Sequence, residues 1–195
     1  QKIGLVDFGL RGKGGVTSTS ATSFEYIGPP EISNVLPSIG SVTGGTMLEV
    51  RGSHFAVTGP LMCRLMGVVS EAEAVSSTML RCMTPRVEQT GRAVVELSMN
   101  GIEYREGRSE IFEYVEAWKV EGIYPSVGPE SGGGAVTVSG EGFSERAVFV
   151  CRFGGIDDVI SAQRLSSSRL KCRPPQHEPG NVTVAVSGNG ADFEY

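Results

Sequence analysis

Two stretches of this chain match each other landmark by landmark at a spacing of 88 residues, the distance from Cys63 to Cys151. A repeat of that length fixes the unit that must fold. The first stretch opens Ile32-Ser33-Asn34-Val35-Leu36-Pro37-Ser38 and continues Gly44-Gly45-Thr46-Met47-Leu48-Glu49-Val50-Arg51-Gly52-Ser53-His54-Phe55. The second opens Val120-Glu121-Gly122-Ile123-Tyr124-Pro125-Ser126 and continues Gly132-Gly133-Gly134-Ala135-Val136-Thr137-Val138-Ser139-Gly140-Glu141-Gly142-Phe143. Further on, Leu80-Arg81-Cys82-Met83-Thr84-Pro85 is answered by Leu170-Lys171-Cys172-Arg173-Pro174-Pro175, and Asn100-Gly101 by Asn189-Gly190. The chain therefore reads as two small modules of one design.

The local pattern inside each module is that of strands. Alternate residues of Ala93 to Met99 and of Val182 to Val186 share a face, as period-two geometry requires. Ala93, Val95, Leu97, Val182, Val184 and Val186 are thus the expected core positions. Asn-Gly at 100 and 189 signals hairpins in which both turn residues take positive φ. Gly52 and Gly140, each three residues before a Phe, predict a tight bend that lays Phe55 or Phe143 against a sheet. No stretch shows the three-and-four apolar recurrence of an amphipathic helix, and Gly occurs 27 times. The fold class is all-β.

The tripeptide Phe-Glu-Tyr occurs at 24–26, 112–114 and 193–195. Its second and third copies are expected to close the two modules, with a longer hairpin, Ile102 to Ile111, preceding the second copy. That leaves one spare terminal strand, in the arm ahead of the first module.

Ile/Val-x-x-x-x-Pro-Ser, Gly-Gly-x-x-Val-x-Val-x-Gly-x-x-Phe, Cys-x-Phe-Gly, Cys-x-x-Pro, an Asn-Gly turn and a final Phe-x-Tyr together resemble the IPT/TIG domain. That domain is an immunoglobulin-like β-sandwich of plexins, hepatocyte-growth-factor-type receptors, fibrocystin-like proteins and microbial and algal surface proteins. The resemblance covers Pro30 to Tyr195, departing at Cys63-Arg64-Leu65-Met66-Gly67, where Leu replaces the Phe of Cys151-Arg152-Phe153-Gly154. It implies an N-terminal arm over 1–28, a first domain over 29–115 and a second over 116–195. It also implies that the modules are not enzymes. Rel-type transcription factors contain the fold, but their DNA-contacting loops and companion domain are absent here.

Four cysteines fall one pair to a module. The repetition favours Cys63 with Cys82 and Cys151 with Cys172 as disulfides in an oxidising compartment, with buried free thiols as the alternative. Zinc is disfavoured: no Cys-x-x-Cys is present, and His54 and His177 belong to different modules. Arg11-Gly12-Lys13-Gly14-Gly15 lacks the spacing of a phosphate loop. There is no nucleophile elbow and no His-x-Glu pattern, and Glu71-Ala72-Glu73 and Asp157-Asp158 read as solvated loop charges rather than a calcium site. No catalytic residue, metal or cofactor is expected.

A net charge of −5 and a pI near 5.2 argue against a nucleic-acid partner. No apolar run is long enough for membrane insertion. Asn181-Val182-Thr183 is an N-glycosylation sequon, equally readable as a turn entering a strand. The Ser/Thr run at 17–23 reads as an O-glycan carrier or a pliable strand. The chain begins at Gln1 without a leader, as a processed chain or a segment of something longer would.

Three readings of the arm follow. It is the last strand of an upstream domain, it adds to a sheet of another subunit, or it folds back on its own modules. Reasoning that an orphan strand has no partner within the chain favours the second, with Val16, Thr17, Ser18, Phe24 and Tyr26 as the inter-subunit strand. The resulting expectation is a secreted extracellular structural protein, partnered by itself as a homopolymer or by neighbouring TIG domains, in a filament or surface appendage. The alternative is a cell-surface receptor or adhesion ectodomain fragment whose modules serve as stalk or protein-binding units.

Overall fold

The computed structural model describes residues 4–8, 22–26, 28–56, 59–155 and 159–195. Every described element is a strand. In the arm, β1 (Gly4–Phe8) pairs antiparallel with β2 (Thr22–Tyr26), Val6 opposite Phe24. The expectation of an orphan strand is thereby corrected: β2 has a partner within the chain. Val16, Thr17 and Ser18, named with it, lie outside the described residues.

The first module comprises β3 (Glu31–Leu36), β4 (Ile39–Ser41), β5 (Met47–Ser53), β6 (Met62–Leu65), β7 (Val68–Ser76), β8 (Met79–Met83), β9 (Gly91–Ser98) and β10 (Tyr104–Val115). Their order is β3-β5-β8-β7-β6-β9-β10-β4. Strand β7 belongs to both layers of a sandwich: Val68 to Glu71 pair with β6, and Ala72 to Ser76 pair with β8. Glu71 and Glu73 stand exposed on this strand, not in the loop their charge suggested. Between the layers lie Leu48, Val50, Leu65, Leu80, Val95, Leu97, Phe112 and Tyr114, all essentially fully buried.

The second module repeats the plan with β11 (Lys119–Tyr124), β12 (Val136–Glu141), β13 (Val150–Phe153), β14 (Val159–Ser161), β15 (Gln163–Ser166), β16 (Arg169–Cys172) and β17 (Val184–Ser187). Here the strand answering β7 is divided into β14, paired with β13, and β15, paired with β16. Trp118, Phe143, Phe149, Phe153, Leu170 and Val186 form its core.

Two glycines explain themselves by close approach. A Cβ on Gly52 would stand 1.9 Å from the Glu31 carbonyl oxygen and 2.6 Å from the tip of the Phe55 ring, and a Cβ on Gly140 would stand 2.0 Å from that of Lys119 and 2.8 Å from Phe143. The bend and the buried ring are therefore one device. At the hairpins only the glycines, Gly101 and Gly190, have positive φ. Asn100 and Asn189 act through their side chains instead. Asn100 Oδ1 accepts from the Ile102 and Glu103 amides, and Asn189 Oδ1 from those of Ala191 and Asp192, so each closes a loop rather than a two-residue turn.

Candidate functional site

The seam between the modules is built from three short segments. Strand β10 runs out of the first module so that Val115 enters the core of the second, and Ile39, on the neighbouring β4, packs against that same core. The Asn189 loop of the second module reaches back. Asn189 Nδ2 donates to the Ile39 carbonyl at 3.1 Å and to Asp192 Oδ2 at 2.8 Å, and Asp192 Oδ2 also accepts from the buried Thr46 hydroxyl at 2.5 Å. Arg146 donates to Glu113, the middle residue of the second Phe-Glu-Tyr. A carboxylate that takes two donors from two modules holds their mutual orientation at low entropic cost, because Asn189 is already fixed by its own loop.

Strand pairing then sets which residues correspond across the repeat. Cys63 opposes Leu97, and Leu97 opposes Arg105. In the second module Cys151 opposes Val186, and Val186 opposes Glu194. Glu194 therefore holds the place of Arg105, and Phe193 that of Tyr104. Ring contacts agree: the Arg64 guanidinium lies 4.1 Å from the Tyr104 ring centroid, and its counterpart Arg152 lies 3.9 Å from that of Phe193. The third Phe-Glu-Tyr is thus not the structural equivalent of the second, contrary to the reading from identity alone. Distance from the Asn-Gly turn decides register, and Phe193 comes four residues after Asn189 whereas Phe112 comes twelve after Asn100. Phe112 and Tyr114 are buried, while Tyr195 is 68% exposed.

A groove of about 750 Å³ opens on the second module where those two rings lie in the first. Its walls include Gly128, Gly134, Val136, Phe153, Pro175 and Val182. This explains the two expected core residues that are not fully buried: Val182 is 38% exposed and Val184, two residues on, is half-buried, whereas Ala93, Val95, Leu97 and Val186 are buried as expected.

Cys63 is joined to Cys82, and Cys151 to Cys172, each bond linking the two layers of its sandwich. Asn181 is exposed at the rim of the groove. Asp157 and Asp158 lie outside the described residues. Among the described residues no three His, Cys, Asp or Glu side chains cluster as metal ligands would, and no helix is long and apolar enough to cross a membrane.

The family model described as IPT/TIG domain matches residues 30–114 and again 119–195. The chain belongs to the IPT/TIG family. Fibrocystin-L of Homo sapiens is 31% identical over 170 residues, covering 83% of this IPT/TIG chain and 4% of that protein. Among solved structures, the full extracellular region of plexin A4 superposes with a TM-score of 0.51 at 16% identity, covering 89% of this chain and 15% of the plexin chain. That likeness is one of fold. The chain spans 4% of the length of fibrocystin-L and 15% of that of the plexin chain.

Sequence reasoning marked Asn189 only as a turn residue and passed over Thr46, Ile39 and Asp192. The available signal lay in the loop itself. Asp192 stands where the first module has Glu103, one carbon longer, and only the shorter acid is held by Asn189 as it receives Thr46.

Proposed function

We propose that this chain is a non-catalytic spacer segment of a cell-surface receptor ectodomain, two IPT/TIG modules held at a set angle. The observation that carries the reading is the Asn189 and Asp192 clasp on Ile39 and Thr46, together with Val115 shared into the second core. A tether needs no such clasp, whereas a stalk that transmits position does. Two disulfides suit an oxidising, extracellular setting. Membership of a family found in plexins and fibrocystin-like proteins favours an ectodomain over a fibre subunit. An N-glycan at the exposed Asn181 fits the same setting.

The test is the distribution of distances between spin labels placed on the two modules, in the parent chain and in Asn189→Ala/Asp192→Ala. A narrow distribution in the parent that broadens in the variant is the expected result. An equally broad distribution in both overturns the stalk reading.

A further inference from the structure

The two modules build the same sheet and charge its outer face differently. In the first, one cross-strand row reads Leu36, Glu49, Arg81 and Glu73, on β3, β5, β8 and β7 in turn. Side chains directly opposite one another in a sheet share a face, so opposite charges placed there offset each other. Arg81 stands between two carboxylates and donates to Glu49 at 3.1 Å, and Arg51 approaches the same Glu49 at 3.6 Å. The cations of this face are matched by acids in register.

In the second module the corresponding row reads Tyr124, Thr137, Lys171 and Gln163, on β11, β12, β16 and β15. Both acids have given way to neutral hydrogen-bonding side chains. Along β8 the outward residues are Met79, Arg81 and Met83, and in their places stand Arg169, Lys171 and Arg173, on and directly after β16. Leu170 and Cys172 between them are buried, so the three cations alternate onto the outer face.

These charges are unmatched. Arg169 lies opposite Ser139 and Ser166, and Arg173 donates to the Gly133 carbonyl at 3.0 Å. Among the described residues no ion pair involves Arg169, Lys171 or Arg173. The acids of this sheet, Glu121 in the bulge of β11 and Glu141 opposite Lys119, stand on the Lys119 side of Arg169. In a chain of net charge −5, the line of cations is a local reversal of sign.

A face of this kind fits an extended, anionic and hydroxylated ligand. Successive cations stand about 7 Å apart along the strand, in a line that a linear polyanion can follow. Thr137, Gln163 and Ser166 surround them with hydrogen-bonding groups. Tyr124, 80% exposed at the end of the Lys171 row, offers a ring to the apolar side of a sugar. Tyr124 and Leu165 lie at the margins, and between them the face lacks the apolar centre that a protein interface buries.

We propose that the outer face of β11, β12, β16 and β15 binds a linear sulfated polysaccharide, with Arg169, Lys171 and Arg173 taking its sulfate groups and Tyr124 stacking on a sugar ring. Guanidinium and ammonium groups donate charge-assisted hydrogen bonds to such oxyanions. The inference does not rest on the stalk reading, because binding at this face is the same whether or not the seam is rigid.

Heparin is the probe, and its affinity for the whole chain is read by calorimetry at low and high salt. Binding is expected that weakens as salt rises. It should fall about tenfold or more in Arg169→Gln/Lys171→Gln/Arg173→Gln and be largely kept in Arg169→Lys/Arg173→Lys. Arg51→Gln/Arg81→Gln removes cations that acids already match, and should leave binding nearly unchanged. Tyr124→Ala should weaken heparin binding without altering retention on a sulfonated ion-exchange resin, which separates sugar recognition from charge alone. Trp118 emission certifies that each variant is folded. A parent that does not bind heparin, or an equal loss in the first-module variant, overturns the proposal. Poly-glutamate or a DNA oligonucleotide bound as tightly as heparin overturns the polysaccharide as the partner. Desulfated heparin bound as tightly overturns sulfate as the group recognised.

Discussion

Tyr114 shows what a single residue of the repeated tripeptide contributes. Its ring is buried against Phe112 at 4.9 Å between centroids, edge to face, and its hydroxyl is spent on the Pro85 carbonyl. Burial pushes its pKa up to about 12, a nearby Thr84 hydrogen bond pulling slightly the other way. The folded state thus holds the proton more tightly than the unfolded chain, whose tyrosines titrate near 10. Stability from this group is full below pH 10 and is lost as pH rises through 12, because over that window the unfolded state sheds the proton first. The shift corresponds to roughly 3 kcal/mol. Urea unfolding from pH 8 to 12 should show the parent losing stability more steeply than Tyr114→Phe, which starts about 1 kcal/mol lower for want of one hydrogen bond. Parallel curves would refute the assignment. That Tyr114 closes a strand was legible in the sequence. That it is deeply buried while Tyr195 is not required the register.

At the scale of elements, each disulfide ties one layer of its sandwich to the other, β6 to β8 and β13 to β16. The pairs close loops of similar length, with sequence separations of 19 and 21, so each should stabilise its module by about 3 kcal/mol through the entropy it removes from the unfolded chain. Cys63→Ala/Cys82→Ala should therefore lower the first module's urea midpoint while leaving the Trp118 signal of the second largely unmoved. Equal loss in both would mean the modules do not unfold as separate units. Alternation made most strands readable: Met62 to Leu65 and Val150 to Phe153 share the same in-and-out burial. What alternation could not show was the bulge between Glu106 and Ile111, which lets β10 travel far enough to set Phe112 opposite Ala93. Identical tripeptides invite superposition by identity. Hydrogen-bond register counts residues from the turn, and by that count Phe193 belongs with Tyr104.

Across the whole molecule the two modules are unequal in what they bury. The first encloses Phe112 and Tyr114 between its layers, and the second opens a groove lined by Val136, Phe153 and Val182 at the corresponding place. Apolar surface left in water contributes nothing to folding, at roughly 25 cal/mol for each Å² not removed. The second module should therefore be the weaker one, although Val115 and Ile39 lend it apolar cover across the seam. Trp118, the one tryptophan of the chain, is buried in that core against Phe149 and so reports on the second module by itself. On urea titration its emission should shift before the far-ultraviolet circular dichroism, which sums both modules, reaches its midpoint. Asp192→Ala should widen the separation, because the Thr46 hydroxyl loses its acceptor and the second module loses its hold on the first. The repeat in the sequence implied two equal domains, and equality of landmarks is not equality of cores. Coincident transitions in the parent that stay coincident in Asp192→Ala would show that the seam, not the groove, sets the stability of the pair.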